Sequence, residues 1–311
     1  MKLLSATKFT ALLLSIPFIV IYFVVRSLPV EQCDFLHEET YNLEGELDYC
    51  GPGDDGFVDL SIRRWPMSLD FRPLDPLEIG KPCRFEMNIK QADGSPLGKE
   101  DVALSHTKRI HLLAIDPTMD DYQHLHPVPD SLFDGIWRFT ITPRKFGKYR
   151  VFLDLIPIRS PRRVLLSETF TVEGGNAKLS SKQNSLSHQI GERSFTLDVQ
   201  KREISGDEYI LKLKARDSQG APLRLRPVMG AHAHMVAFDW ERKGFAHLHP
   251  LEADGFIGPV TDSITRDLEF SFNSSRISSC RLWAQVLLED DENETFIPFS
   301  LNLNSFSDDT N

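Results

Sequence analysis

The chain has 311 residues, 41% hydrophobic and 26% charged, which excludes a largely disordered chain and leaves room for about two domains. A formal net charge of −10 argues against nucleic acid as a partner and suits a soluble, cation-attracting surface. The 21 Phe residues, with Val, Ile and Thr recurring in short runs, favour strands, and no helical periodicity extends beyond the N-terminus.

Residues 1–30 read as a targeting segment. Lys2 and Lys8 precede an apolar run from Phe9 to Val25 that Arg26 ends. The run is long for a secretory signal and no small-residue cleavage pattern follows it. It sits at the short end of the range for a spanning helix. An uncleaved signal anchor is favoured over a cleaved signal peptide, with the body exported by the positive-inside rule. The expected location is the cell envelope: anchored in the inner membrane with the body outside the cytoplasm, or secreted if the signal is cleaved. Residues 31–55 are acidic and read as a stalk or loop. Cys33 and Cys50 flank this segment and are the closest disulfide candidates, whereas Cys83 and Cys280 read as buried thiols.

An internal repeat organises the rest. HLLAIDPTMDDYQHLHP (His111 to Pro127) aligns without a gap to HMVAFDWERKGFAHLHP (His234 to Pro250), an offset of 123 residues. Weaker similarity continues on both sides, with YRVFLDL (Tyr149 to Leu155) meeting CRLWAQV (Cys280 to Val286). Self-similarity over most of a hundred residues means two copies of one unit. Each copy shows short apolar runs bounded by Gly, Pro, Asp and Asn; in the second they are Ser194–Val199, Tyr209–Ala215, Ala233–Asp239, Leu268–Asn273, Arg281–Leu288 and Phe296–Leu303. This is the pattern of an all-β protein with two tandem immunoglobulin-like β-sandwich domains after an N-terminal transmembrane helix. The expected boundaries are 56–174 for the first sandwich, 175–189 for a polar linker, 190–304 for the second, and 305–311 for a tail.

Eight of the ten histidines fall in or beside the repeated segment. Residues i and i+2 of a strand share a face, so His124 and His126 point the same way, as do His247 and His249. A hairpin register pairing His111 with His126, and His234 with His249, gathers three imidazoles per copy on one face; His232 adds a fourth in the second copy. A slip of one residue turns the first histidine away. Neutral imidazole is a common zinc and copper ligand, so His111, His124, His126, His232, His234, His247 and His249 are the candidate metal ligands. Met119, Met229 and Met235 lie nearby in sequence and would favour Cu(I) if they joined in. A second reading stands beside this one: a histidine at a strand end can hydrogen-bond a loop carbonyl, and sibling domains inherit structural residues. Asp116 and Asp239 read as turn-capping carboxylates, and Trp137, Trp240 and Trp283 as core aromatics.

The HLHP segment, the following Trp-Arg-Phe strand and FGKYRVFLDLIP (Phe146 to Pro157) resemble bacterial exported proteins with YtkA-like or FixH-like β-sandwich domains. The likeness to CopC-like copper-resistance sandwiches is looser, since no mature N-terminal histidine is evident. The resemblance implies a copper-associated, extracytoplasmic, non-enzymatic role, with copper or zinc as the ion and an envelope protein as a further partner. No nucleophile elbow, phosphate loop or dinucleotide motif is present, and no general base recurs at matching positions, so no enzyme is expected. The competing expectation is a tandem cell-envelope interaction module whose histidines are structural.

Overall fold

A computed structural model describes residues 6–27, 48–49, 56–160, 162–175, 180–202, 207–251, 260–275 and 277–306, with the backbone alone for 6–13 and 48–49. The Cys33–Cys50 pairing lies outside the described residues. Cys83 and Cys280 are buried free thiols, and burial pushes the Cys280 thiol up to about 12.

The N-terminal helix runs Ala6–Ser27 and contains Pro17; its apolar side chains from Leu14 to Val25 are exposed. Over the described residues, no helix is long and apolar enough to cross a membrane.

The remainder is built mainly from antiparallel sheets, in two sandwiches. In the first repeat one sheet orders the strands Val164–Val172, Gly147–Leu155, Ile110–Ile115 and Tyr122–Leu125. Its companion orders Met67–Pro73, Cys83–Gln91, Ile136–Ile141 and Val128–Pro129. In the second repeat, Leu225–Arg226, Ser279–Leu288, His234–Asp239 and Gly244–Leu248 form the equivalent of the first of these, with Thr295–Asn302 also paired to Ser279–Leu288. Ser187–Ile190, Arg193–Lys201, Glu208–Arg216 and Leu268–Asn273 form the other. The six apolar runs expected in the second copy coincide with strands to within two residues at either end.

The repeat extends to the backbone. His106 and Met229, at the 123-residue offset, both sit in the left-handed region, with φ of 49° and 50°. Met119 and Arg242, at the same offset, have φ of 68° and 53°. Such non-glycine positions are uncommon, so their recurrence marks one template used twice.

Four boundaries differ from the sequence reading. Val58–Asp59, expected in the first sandwich, pairs with Gly244–Leu248 of the second, and Phe57 packs into the second sandwich's core. The Val58–Asp59 backbone extends that sheet, and the Phe57 side chain beside it is buried among the second sandwich's apolar residues. Within the expected stalk, Asp48–Tyr49 pairs in parallel with Leu104–Ser105. The second sandwich begins inside the expected linker, because Ser187–Ile190 already pairs with Arg193–Lys201. A 3-10 turn over Leu303–Phe306 carries order into the expected tail, anchored by buried Leu303.

Each sandwich has its own core, but a third apolar cluster lies between the repeats. Strands Ile110–Ile115 and His234–Asp239 are buried at every position. Leu112 and Ala114 face the first sandwich's interior, while Leu113 and Ile115 join Val236, Phe238, Phe245 and Trp283 across the repeat boundary. The ring contacts are reciprocal: Tyr122 meets Phe238 and Trp283 at centroid distances of 5.5 and 5.8 Å, and Phe152 meets Phe245 and Phe238 at 5.2 and 5.8 Å. Equivalent residues of one repeat thus touch equivalent residues of the other, as at a two-fold interface. Arg281 reinforces it by pairing with Asp120 of the first repeat at 2.7 Å and donating to the Met119 carbonyl.

This third core ties the repeats into one folding unit. Phe238→Ala is expected to cost about 3–5 kcal/mol, the usual loss for emptying a buried phenylalanine site. Denaturant unfolding followed by tryptophan fluorescence and far-UV circular dichroism should give one coincident transition for the wild type. Two separated transitions in the wild type would contradict the shared core.

Candidate metal centre

The same two faces that build the third core carry the histidines at one end. Leu112 pairs with Leu125 and Leu113 with His124, so the register continued by one residue sets His111 opposite His126. Met235 pairs with Leu248 and Val236 with His247, which sets His234 opposite His249. The expected registers are therefore present in both copies. Because the two hairpins face each other, the two sets of histidines adjoin and share a member, His247. His111 lies 5.3 Å from His124 and 5.3 Å from His247 of the other repeat, between ring centroids. His124 and His247 are 5.3 Å apart, and His234 stands 5.4 Å from His247 and 4.9 Å from His249. The second copy's expected trio, His234, His247 and His249, comes together as read from the sequence, whereas in the first copy His247 of the other repeat stands where His126 was expected.

Two groups of three present ring nitrogens within 4.8 Å of one another: His111, His124 and His247, all buried, and His234, His247 and His249, of which His249 is partly exposed. His126 stands at the side of the first group, 5.1 Å from His111 and 4.8 Å from His124. His232 joins neither group; its Nε2 lies 2.8 Å from the Asp262 carbonyl, which turns it to the loop instead. Met235 and Met119 are taken up by packing: Met235 lies in the second sandwich's own core and Met119 in the inter-repeat core.

The proton inventory of the inner rings is tightly constrained. His111 Nε2 is 2.8 Å from the Ser105 carbonyl, an acceptor only, so Nε2 carries the hydrogen and Nδ1 is left with a lone pair. His124 Nδ1 is 2.7 Å from Gln285 Oε1. The Gln285 amide is oriented by its Nε2, which donates to the Glu294 carboxylate. His124 Nδ1 must then donate, leaving the lone pair on Nε2. These two lone-pair nitrogens, His111 Nδ1 and His124 Nε2, face each other at 3.0 Å. Two ligands about 2.0–2.1 Å from a shared zinc ion and subtending roughly 90–110° lie about 2.8–3.4 Å apart. The second repeat mirrors this. His234 Nε2 donates to the Val228 carbonyl at 2.9 Å, at the position equivalent to Ser105, and its Nδ1 is buried without a partner. The Nε2 atoms of His126, His247 and His249 are likewise buried and unpartnered.

The chain matches a family model twice, over residues 67–173 and 188–305, for a domain of unknown function, DUF8832. It belongs to the DUF8832 family. Its two DUF8832 copies thus supply the two halves of the histidine cluster. No curated protein matches this DUF8832 chain. Among solved structures, a DUF4785 family protein from Legionella pneumophila is similar at 9% identity and a TM-score of 0.25, over 77% of this chain and 58% of that one. An alpha-2-macroglobulin from Salmonella is similar at 13% identity and a TM-score of 0.25, over 76% and 14% of the respective chains. MtrC from Shewanella baltica is similar at 8% identity and a TM-score of 0.23, over 74% and 68%. The DUF8832 chain therefore spans little more than half of the first and a small part of the second, and likenesses this remote bear on neither site nor function.

Several residues escaped the sequence reading. Asp154 and Gln285 occupy the same position in the repeat alignment, each the polar member of an apolar strand, paired with His111 and His234 respectively. They cross over in function: Gln285 holds His124 of the other repeat, and Asp154 Oδ2 lies 3.6 Å from His247 Nδ1 while bidentately paired with buried Arg163. His106 belongs with them: its ring stacks on His249 of the other repeat at 3.7 Å. By contrast, Asp116 and Asp239 cap their turns through backbone amides, and Trp137 is a buried core residue.

Burial pushes the His124 imidazole down to about 3, with the His111 ring beside it adding to the effect. His111, His126, His234, His247 and His249 are all held below the usual histidine range, first by desolvation. A histidine depressed in the folded state leaves the unfolded chain binding more protons below its ordinary value of 6.5, so stability falls as pH drops through that value toward the folded one. Each ring kept neutral contributes up to about 1.4 kcal/mol per pH unit in that window. Metal-free protein should therefore lose denaturant resistance steadily between about pH 7 and pH 5, and His124→Gln should flatten the slope. An unchanged midpoint across that range would contradict the neutral, buried cluster.

Proposed function

We propose that this protein is a non-enzymatic, extracytoplasmic metal-binding module, for copper or zinc, serving metal homeostasis or delivery through the histidine cluster shared by its two repeats. The observation that carries this reading is the pair of lone-pair nitrogens, His111 Nδ1 and His124 Nε2, facing each other at 3.0 Å. Two acceptors at that distance repel unless a cation lies between them. A proton is disfavoured there by burial. A metal ion satisfies both, and an all-imidazole donor set suits zinc and copper alike. The carbonyls of Ser105 and Val228, the Gln285 amide and the Asp154 carboxylate then act as the outer partners that fix ring orientation.

The same proposal places the sandwiches outside the cytoplasm, with an envelope protein as donor or acceptor of the ion, on the strength of the apolar run from Phe9 to Val25 behind Lys2 and Lys8. A structural role for the histidines has one specific observation in its favour: His111 and His234 each donate to a main-chain carbonyl. That use occupies only one nitrogen per ring.

Competition dialysis of the full-length protein against a weak chelator, followed by elemental analysis, tests the proposal. Wild type should retain copper or zinc, and His247→Ala, which removes the member common to both groups, should weaken retention by more than about tenfold. The ion should stay bound well below pH 6.5, because the ligand rings resist protonation. Equal metal content in wild type and variant would refute the proposal and favour the structural scaffold.

A further inference from the structure

The two groups of three histidines overlap at a single residue, His247. Its Nδ1 faces the Asp154 carboxylate at 3.6 Å, the side on which a neutral ring keeps its hydrogen. Its Nε2 is buried and has no partner. A neutral imidazole so held offers one lone pair and can ligate one ion at a time. The two groups differ in burial: His111, His124 and His247 are all buried, whereas His249 of the other group is partly exposed, with its Nε2 buried.

We propose that the two groups are alternative stations for one ion, an outer one at His234, His247 and His249 and an inner one at His111, His124 and His247, with His247 as the pivot of transfer between them. This deepens the metal-binding reading and rests on it. An ion taken up at the outer station keeps its bond to His247 Nε2. It exchanges the nitrogens of His234 and His249 for His111 Nδ1 and His124 Nε2. His111 and His124 already carry their hydrogens on the far side of the ring, so the inward step releases no proton from them. No electron moves, and ligand number is conserved at three. The stations lie in contact, since His247 is 5.3 Å from His111 and 4.7 Å from His249 between ring centroids. His106, stacked on His249 from the other repeat, covers the outer end. Such an arrangement suits a protein that accepts and passes on an ion through ligand exchange, because the two stations share a ligand and only the outer one includes a partly exposed residue.

The test uses the full-length protein and Zn²⁺ alone. Stoichiometry is read by elemental analysis after competition dialysis, and release is read by stopped-flow transfer to a strong chromophoric chelator. Wild type should hold one ion per chain. The double variant His111→Ala/His124→Ala should still hold one ion, on the outer station, and release it more than about tenfold faster. His249→Ala should also hold one ion, on the inner station, and both load and release it more than about tenfold more slowly. His124→Gln and His249→Gln serve as gentler replacements, with near-UV circular dichroism confirming the fold. Two ions per wild-type chain would overturn the shared pivot while leaving metal binding intact. Loss of all zinc from the double variant, or unaltered kinetics in His249→Ala and His249→Gln, would overturn the two-station account. Absence of zinc from the wild type would overturn the metal-binding reading itself.

Discussion

The structure depends on the packing of two hairpins against each other across the repeat boundary. Each hairpin is buried on both faces, one face toward its own sandwich and the other toward its sibling. Burying that second face stabilises the pair by the hydrophobic effect, at roughly 25 cal/mol per Å² of apolar surface removed from water. It also fixes where the histidines go. They occupy the end of the hairpin where the apolar ladder of Leu113, Ile115 and Tyr122 gives way to His111, His124 and His126, so whatever aligns the apolar residues aligns the rings.

The pseudo-two-fold relation explains why the site is shared and why it is uneven. Equivalent positions hold Gln285 and Asp154, and each reaches across to a histidine of the other repeat. One is a neutral amide oriented by Glu294; the other is a carboxylate balanced by Arg163. A symmetric scaffold thus carries two different outer partners. The ring facing Gln285 is held in one tautomer by an amide, and the ring facing Asp154 has a carboxylate 3.6 Å from its Nδ1.

Much of this was legible in the sequence. The gapless alignment of His111–Pro127 with His234–Pro250 showed two copies, and alternation with turn residues located the strands of the second copy. The hairpin registers followed from the spacing of the histidines. What the sequence reading lacked was the contact between copies. Its trace is present in IHLLAI and HMVAFD, which do not alternate as half-exposed strands do, the mark of strands covered on both faces. The polar Asp154 and Gln285 inside apolar strands were a second trace. The Val58–Asp59 strand was out of reach, because two residues pairing with a distant edge leave no periodicity to read.

The central claim is that His111 and His124 turn unprotonated nitrogens toward each other. Long-range ¹H–¹⁵N correlation spectra of selectively labelled, metal-free protein report the tautomer of each ring directly. The account predicts hydrogen on Nε2 of His111 and on Nδ1 of His124, with the two facing nitrogens unprotonated and both shifting together when zinc is added. A hydrogen shared between His111 Nδ1 and His124 Nε2, unaffected by zinc, would contradict it.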